Sequence, residues 1–269
     1  MAKYKKKRAR ELKHDKFRDV TMQFVDRLGN RLEGQGRTIL YVIVGVIFVG
    51  VLAGFLWRWS SRRSDEARQA LGRAITIATT PVSTTPSATS SSPTFSSEQE
   101  RAQKAIDEFQ KVAAKYGDPY RSEAKYFSAT NQLYLDRNRG VSELRELTKS
   151  SNPEVATLAR FALAQALEVD GKYDEAAAIY RELATQNSVV VTPETANLHL
   201  AKLYEKQGKK KEAADLLFNI VAAARKAKDD KGEPAPQSQA ARDAGQELQK
   251  LDPDRYAQLP AEAPPNLAF

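Results

Sequence analysis

Apolar and polar positions divide the 269-residue chain into three regimes. The first is amphipathic: Phe17, Val20, Phe24, Val25, Leu28 and Leu32 recur at helical spacing with Lys and Arg between them. That pattern fits a helix lying on an anionic membrane surface, or a basic tail with incidental apolar residues. The second regime is uniformly apolar. From Thr38 to Trp57, TILYVIVGVIFVGVLAGFLW, twenty residues carry no charge and no proline. At 1.5 Å per residue they would span about 30 Å, the thickness of a bilayer's hydrocarbon core. Arg37 and Arg58 bracket the stretch, and Tyr41, Trp57 and Trp59 stand near its ends, where amphipathic rings favour the headgroup level. The third regime, from Ser64 onward, is periodic and helical.

In this third regime Ala67, Leu71, Ala74, Ile75 and Ala78 form one face of a helix over 64–79. A break follows. Of the 19 residues from Thr79 to Ser97, thirteen are Ser or Thr and three are Pro, too little apolar surface to offset the entropy of ordering them. Beyond it, Gly, Pro and Asn breaks set off helices near 98–116, 120–136, 141–150, 153–169, 173–187, 192–207 and 210–228. A terminal helix over 236–250 would cover the last exposed face, as capping units do, and the closing PAEAPPNLAF reads as disordered.

Two stretches repeat. LARFALAQALEVDGKYDEAAAIYREL, Leu158 to Leu183, aligns with NLHLAKLYEKQGKKKEAADLLFNI, Asn197 to Ile220, at an offset of 37. The matched pairs are Leu163 with Leu200, Ala164 with Ala201, Gly171 with Gly208, Glu175 with Glu212, Ala176 with Ala213, and Tyr180 with Leu217. Internal periodicity of this kind marks stacked supersecondary units, although an irregular helical bundle shares the helical pattern.

Charge refines the picture. The chain has a formal charge of +8, but residues 1–37 hold 12 basic and 5 acidic side chains, residues 58–73 hold 5 and 2, and residues 74–269 hold 25 and 27. The bulk is therefore nearly neutral, which argues against a nucleic-acid-binding domain, whose positive charge must lie on the folded surface that meets phosphate. The basic excess before the apolar stretch, densest in KYKKKRAR, points to a cytoplasmic N-terminus. Charges close to the stretch point the other way, with Arg27, Arg31 and Arg37 before it against Arg58, Arg62, Arg63, Arg68 and Arg73 after it. The long run of residues ahead of the stretch, and WRWSSRR behind it, make it an uncleaved anchor rather than a signal peptide. Gly50 and Gly54 offer a small-xxx-small face through which another helix, including a second copy of this chain, could approach.

The sequence is poor in catalytic equipment. There are no cysteines, only two histidines (His14 and His199), no Gly-rich phosphate loop and no Gly-x-Ser-x-Gly elbow. No catalytic residue, metal ligand or cofactor is expected, and the chain does not read as an enzyme. His199 is expected to be a packed or surface side chain rather than a ligand.

The repeated residues resemble the tetratricopeptide repeat, a helix-turn-helix unit. In that pattern a small residue (Ala164, Ala201) lets two helices touch, a bulky one (Leu167, Tyr204) packs between them, a Gly (Gly171, Gly208) ends the first helix, and an Ala (Ala176, Ala213) opens the second. AIDEFQKVAAKYGDP, Ala105 to Pro119, looks like the second helix of an earlier unit, and Pro119 to Leu147 like a more degenerate one whose turn reads DRNRG. The fold class expected is all-α, a single transmembrane helix followed by an α-solenoid of tetratricopeptide-like hairpins. Its parts are a basic cytoplasmic segment 1–37, the transmembrane helix 38–57, a juxtamembrane helix 58–79, a Ser/Thr/Pro-rich linker 80–97, the repeat domain 98–228, and a capping helix with tail 229–269.

Anchor, juxtamembrane helix and hairpins together resemble the ancillary Sec-translocon subunit family of bacterial inner-membrane proteins, on the anchor itself, the helix with Ala67 and Ala70, DPYRSEAKYFSATNQLYLDRN (Asp118 to Asn138) and GKYDEAAAIYREL (Gly171 to Leu183). The resemblance implies a periplasmic repeat domain that binds translocon subunits, periplasmic chaperones or secreted chains. By the repeat pattern, Phe161, Gln165 and Glu168 of one unit and Leu198, Lys202 and Glu205 of the next would face a protein-binding groove, or be solvated or structural positions. Two other readings remain open: a scaffold for another envelope complex, in outer-membrane assembly or division, and a basic tail that binds ribosomal RNA or nucleic acid in the cytoplasm.

Overall fold

The computed structural model describes residues 63–83 and 95–262. The basic segment 1–37 with its amphipathic pattern, the apolar stretch 38–57, most of the linker, and the last residues of the tail lie outside the described residues. No helix among the described residues is long and apolar enough to cross a membrane. The chain divides into two compact units, Met1–Ser64 and Asp65–Phe269, and the second is the one described below.

That unit is all α-helical, with isolated β-bridges as the only pairings among the described residues. Helix α1 covers residues 63–79. It is followed by α2 (Glu98–Lys115), α3 (Tyr120–Gln132), α4 (Arg137–Leu147), α5 (Pro153–Val169), α6 (Tyr173–Ala184), α7 (Pro193–Lys206), α8 (Lys210–Lys226), α9 (Gln239–Leu251) and the short α10 (Pro253–Ala257). Consecutive helices pack antiparallel, and α3 also touches α5, as α7 touches α9. Such a stack fits an α-solenoid.

Local sequence explains the starts. Ser97, Asp136, Asn152, Thr192 and Ser238 sit before α2, α4, α5, α7 and α9, and each side chain accepts a hydrogen bond from a first-turn N–H, satisfying a donor the helix leaves orphaned. Pro153 and Pro193 open α5 and α7, where a missing N–H costs nothing. The ends of α5 and α7 are twins. Gly171 and Gly208 hold φ of 73° and 76°. In each, the glycine N–H and that of the following lysine fold back, to Glu168 and Leu167 in one copy (3.1 and 2.9 Å) and to Glu205 and Tyr204 in the other (2.9 and 2.8 Å). This is the Schellman arrangement, which asks for a left-handed residue that glycine supplies without steric cost.

The repeat pairs also match in burial. Leu163 and Leu200, Ala164 and Ala201, Ala176 and Ala213, and Tyr180 and Leu217 are all buried, while Glu175 and Glu212 are both exposed. Fully buried alanines at equivalent places let backbones approach closely. Three apolar clusters follow one another along the stack. Ala67, Leu71 and Ala74 of α1 pack with Phe109, Val112 and Ala124; a central cluster surrounds Leu144, Leu167 and Tyr180; and a third joins Leu198, Leu217, Val221 and Leu248.

Several expected boundaries shift. Helix α4 begins at Arg137, not 141, because Asp136 caps it, accepting from the Arg139 N–H at 3.0 Å; α3 stops at Gln132, short of the expected 136. Gly140 therefore lies inside a helix rather than in a turn. The linker is not wholly a free loop either: Phe95 is buried, 7% exposed, and pairs with Val82, the Ser83 N–H donating to the Phe95 carbonyl at 3.0 Å. In place of the terminal helix expected over 236–250 the chain forms α9 over Gln239–Leu251, followed by the short α10, which the sequence pattern does not predict.

Candidate functional site

Odd-numbered helices α3, α5, α7 and α9 line one face of the stack, as side-chain contacts between them record. Glu123 of α3 has its pKa raised by burial first and then by the charge of Glu154 on α5. Lys206 of α7 donates to Glu168 of α5 at 2.6 Å, and that hydrogen bond holds the ammonium pKa above its ordinary value. Ser238 at the head of α9 is bonded to Glu194 of α7.

On this face a hollow of about 490 Å³ opens between α3 and α5, closed at one side by Ala78, Thr79 and Arg101. Its walls include Tyr126, Phe127, Asn131, Tyr134, Arg137, Gln165, Ala166 and Val169. Tyr134 and Val169 are 51% and 75% exposed, a large apolar display for side chains in a concavity. Among the described residues, the charged side chains lining the hollow are Arg101 and Arg137. The Arg101 guanidinium lies 5.8 Å from the Tyr134 ring centre, and its Nε is buried with no hydrogen-bond partner. Arg137 pairs with Asp170 and donates to the Ala166 carbonyl at 2.8 Å, so its guanidinium is held in place. Arg101 is also held, by the Thr80 carbonyl at 3.4 Å and Glu98 at 3.8 Å. Both guanidiniums are therefore paired, and the hollow offers a ligand chiefly exposed apolar surface edged by guanidinium N–H groups, which suits an apolar side chain with a nearby carbonyl.

Further along, the face is filled. The Phe161 ring meets His199 edge-on at 4.9 Å and Tyr180 at 6.0 Å, and His199 lies 5.6 Å from Tyr180. Tyr180 donates to Glu168 at 3.3 Å; burial first, then the Glu168 charge and that hydrogen bond, push the phenol pKa far up, so it stays protonated. Burial lowers the pKa of His199, against the pull of Glu168. A second hollow, lined by Lys202, Glu205, Lys206 and Glu247, follows.

The six expected groove residues thus separate. Gln165 is exposed on the wall of the first hollow, and Lys202 and Glu205 line the second. Phe161 and Glu168 are engaged in packing and an ion pair between α5 and α7. Leu198, at 4% exposure, belongs to the cluster with Ala214, Leu217 and Val221 and does not face an open groove: α7 turns that side toward α8 and α9. His199 is a packed side chain, as expected. Sequence reasoning missed Tyr134, Val169, Arg101 and Arg137. One signal was available: at the offset of 37, Val169 stands where the second copy has Lys206, an exposed apolar residue in place of a charge.

Among the described residues no cluster of His, Cys, Asp or Glu is arranged to hold a metal ion. No protein-family model, curated protein or solved structure matches the chain.

Proposed function

We propose that this protein is a membrane-anchored protein-interaction module, with residues 38–57 as the anchor, tetratricopeptide-like hairpins as the body, and the hollow between α3 and α5 as the place where a partner's extended segment lies. The observation that carries this reading is the hollow itself: about 490 Å³, with Tyr134 and Val169 exposed in it and Arg101 and Arg137 in its lining. Helical stacks recognise partners through side chains on such concave faces, their backbone being satisfied internally. The resemblance to the ancillary Sec-translocon subunits gives the reading its specific form, an inner-membrane accessory whose repeat domain is periplasmic and links the translocon to chaperones or emerging chains.

A photo-crosslinking residue at Val169 in native membranes tests it. The expected adducts are translocon subunits, periplasmic chaperones or secreted chains, reduced when Tyr134 is also replaced by Ala. Adducts confined to outer-membrane assembly or division proteins would favour the scaffold reading. Protection of the repeat domain from protease added to spheroplasts would place it in the cytoplasm and overturn the export role.

A further inference from the structure

The stack has two rims. Near the start of α1, Glu66 reaches Lys115 at the end of α2, 3.9 Å away, so α1 begins where α2 ends. The antiparallel succession then puts the connections 116–119, 148–152, 185–192 and 227–238 on that same rim. It is also the rim from which the chain runs back toward the apolar stretch. Only residues 58–62 separate Trp57 from Arg63, and fully extended they reach about 20 Å.

One connection on this rim is unlike the others. In the segment 185–192, TQNSVVVT, Val189 is 87% and Val190 36% exposed. Their exposure is built, not incidental. Val191 beside them is buried in the central cluster, the Ser188 hydroxyl accepts from the N–H groups of Val190 and Val191 at 3.3 and 3.5 Å, and Thr192 caps α7. The segment is pinned at one end by a plugged valine, and Val189 is held outward.

We infer that this rim rests on the lipid bilayer that holds the chain, with Val189 and Val190 entering the boundary between headgroups and acyl chains. The inference rests on residues 38–57 being a membrane span. Two valines are far too little surface for a stable protein interface, which needs roughly 800 Å² per partner. For a tethered domain they are enough, because a short link keeps the membrane at an effective concentration on the order of millimolar, so a weak second contact fixes orientation. Charge contributes no attraction: the connections on this rim carry exposed Lys149, Lys228 and Lys231 against exposed Asp118, Asp229, Asp230 and Glu233, so no basic patch draws the rim to anionic lipid and the contact is apolar. Val169 ends α5 and Tyr134 follows the end of α3, so the hollow opens near the opposite rim, about 25 Å from this one, the length of α5.

Because the chain has no cysteine, single labels test this cleanly. The full chain carrying Val189→Cys or Val169→Cys, each bearing an environment-sensitive fluorophore, is reconstituted into phosphatidylcholine vesicles containing lipids with a shallow nitroxide quencher. The label at 189 should be quenched several-fold more strongly than the label at 169, with no dependence on salt, and adding Val190→Asp should reduce that quenching. Equal quenching of the two labels, in protein that resists alkaline extraction from the vesicles, would overturn the rim contact while leaving the anchor standing. Release of the chain by alkaline extraction would overturn the anchor, and this inference with it.

Discussion

At Gly140 an added Cβ would stand 2.8 Å from the Leu133 Cδ2 and 2.8 Å from the Leu133 backbone nitrogen, whereas at Gly171 it would meet nothing within 4 Å. Gly140 is required by a neighbour, and Gly171 by its own φ of 73°. Gly140→Ala should cost about 1–3 kcal/mol through overpacking, and Gly171→Ala about 1–2 kcal/mol through the left-handed backbone. Denaturant unfolding of double variants separates the causes. Leu133→Ala should recover part of the Gly140→Ala loss and none of the Gly171→Ala loss, whereas additivity in both cycles would contradict the steric account. His199 supplies a second test at this scale. Burial against Phe161 and Tyr180 keeps its folded pKa below 6.5, with Glu168 opposing and Lys202 and Lys206 reinforcing the shift. Well above pH 6.5 the imidazole is neutral in both states. As pH falls below 6.5 the unfolded chain takes a proton that the folded chain refuses, so stability declines. The melting temperature should therefore fall between about pH 7.5 and pH 5.5, roughly one unit either side of that ordinary value, and His199→Phe should flatten the decline; an unchanged slope in the variant would remove His199 as its cause.

Helices were legible where several local signals agreed. Asn152 and Pro153 ahead of α5 and Gly171 behind it fix both ends of 153–169, and the same signals, Thr192, Pro193 and Gly208, fix α7 within a residue. Legibility failed where one residue type serves two purposes. Gly140, in DRNRG, reads as a turn because glycine ends helices, yet here it lets α4 cross the end of α3, a tertiary fact with no local trace. Helix α10 has five residues, too few to show a period; only its start is marked, by Pro253 at the first position and by Asp252, which accepts from the Arg255 N–H at 3.0 Å. Phe95 escaped because composition describes a segment, not the one side chain in it that finds a core. The site shows the same limit. Repeat comparison finds the positions that keep the hairpins together, so it picked Leu198 and Glu168, which turn out to hold helices to one another. The hollow is lined by residues that depart from the repeat, Tyr134 on the degenerate unit and Val169 at the end of the regular one; a departure shows only where a second copy supplies the comparison, as Lys206 does for Val169, and Tyr134 has no such partner.

For the whole molecule the question is whether the domain behaves as one body or as a succession of neighbours. The central cluster around Tyr180 draws on α3 to α7, while the last draws on α7 to α10 through Leu198, Leu217, Val221 and Leu248. Helix α7 belongs to both, turning Leu200 and Leu203 one way and Leu198 and Ala201 the other. In a quasi-one-dimensional stack, energy removed from one interface stays there unless the shared element also unfolds. Leu167→Ala and Leu248→Ala delete the same atoms from fully buried positions, and each should cost about 2–5 kcal/mol. Their consequences should differ in place. Measured by amide hydrogen exchange on the full chain, Leu248→Ala should speed exchange in α8 and α9 and leave α3 to α6 protected, because those helices make no contact with the lost side chain's cluster. Leu167→Ala should raise exchange from α3 through α7. If Leu248→Ala instead lowers protection evenly from α2 to α9, the stack is a single cooperative unit, and the hollow between α3 and α5 cannot open or tighten independently of the capped end.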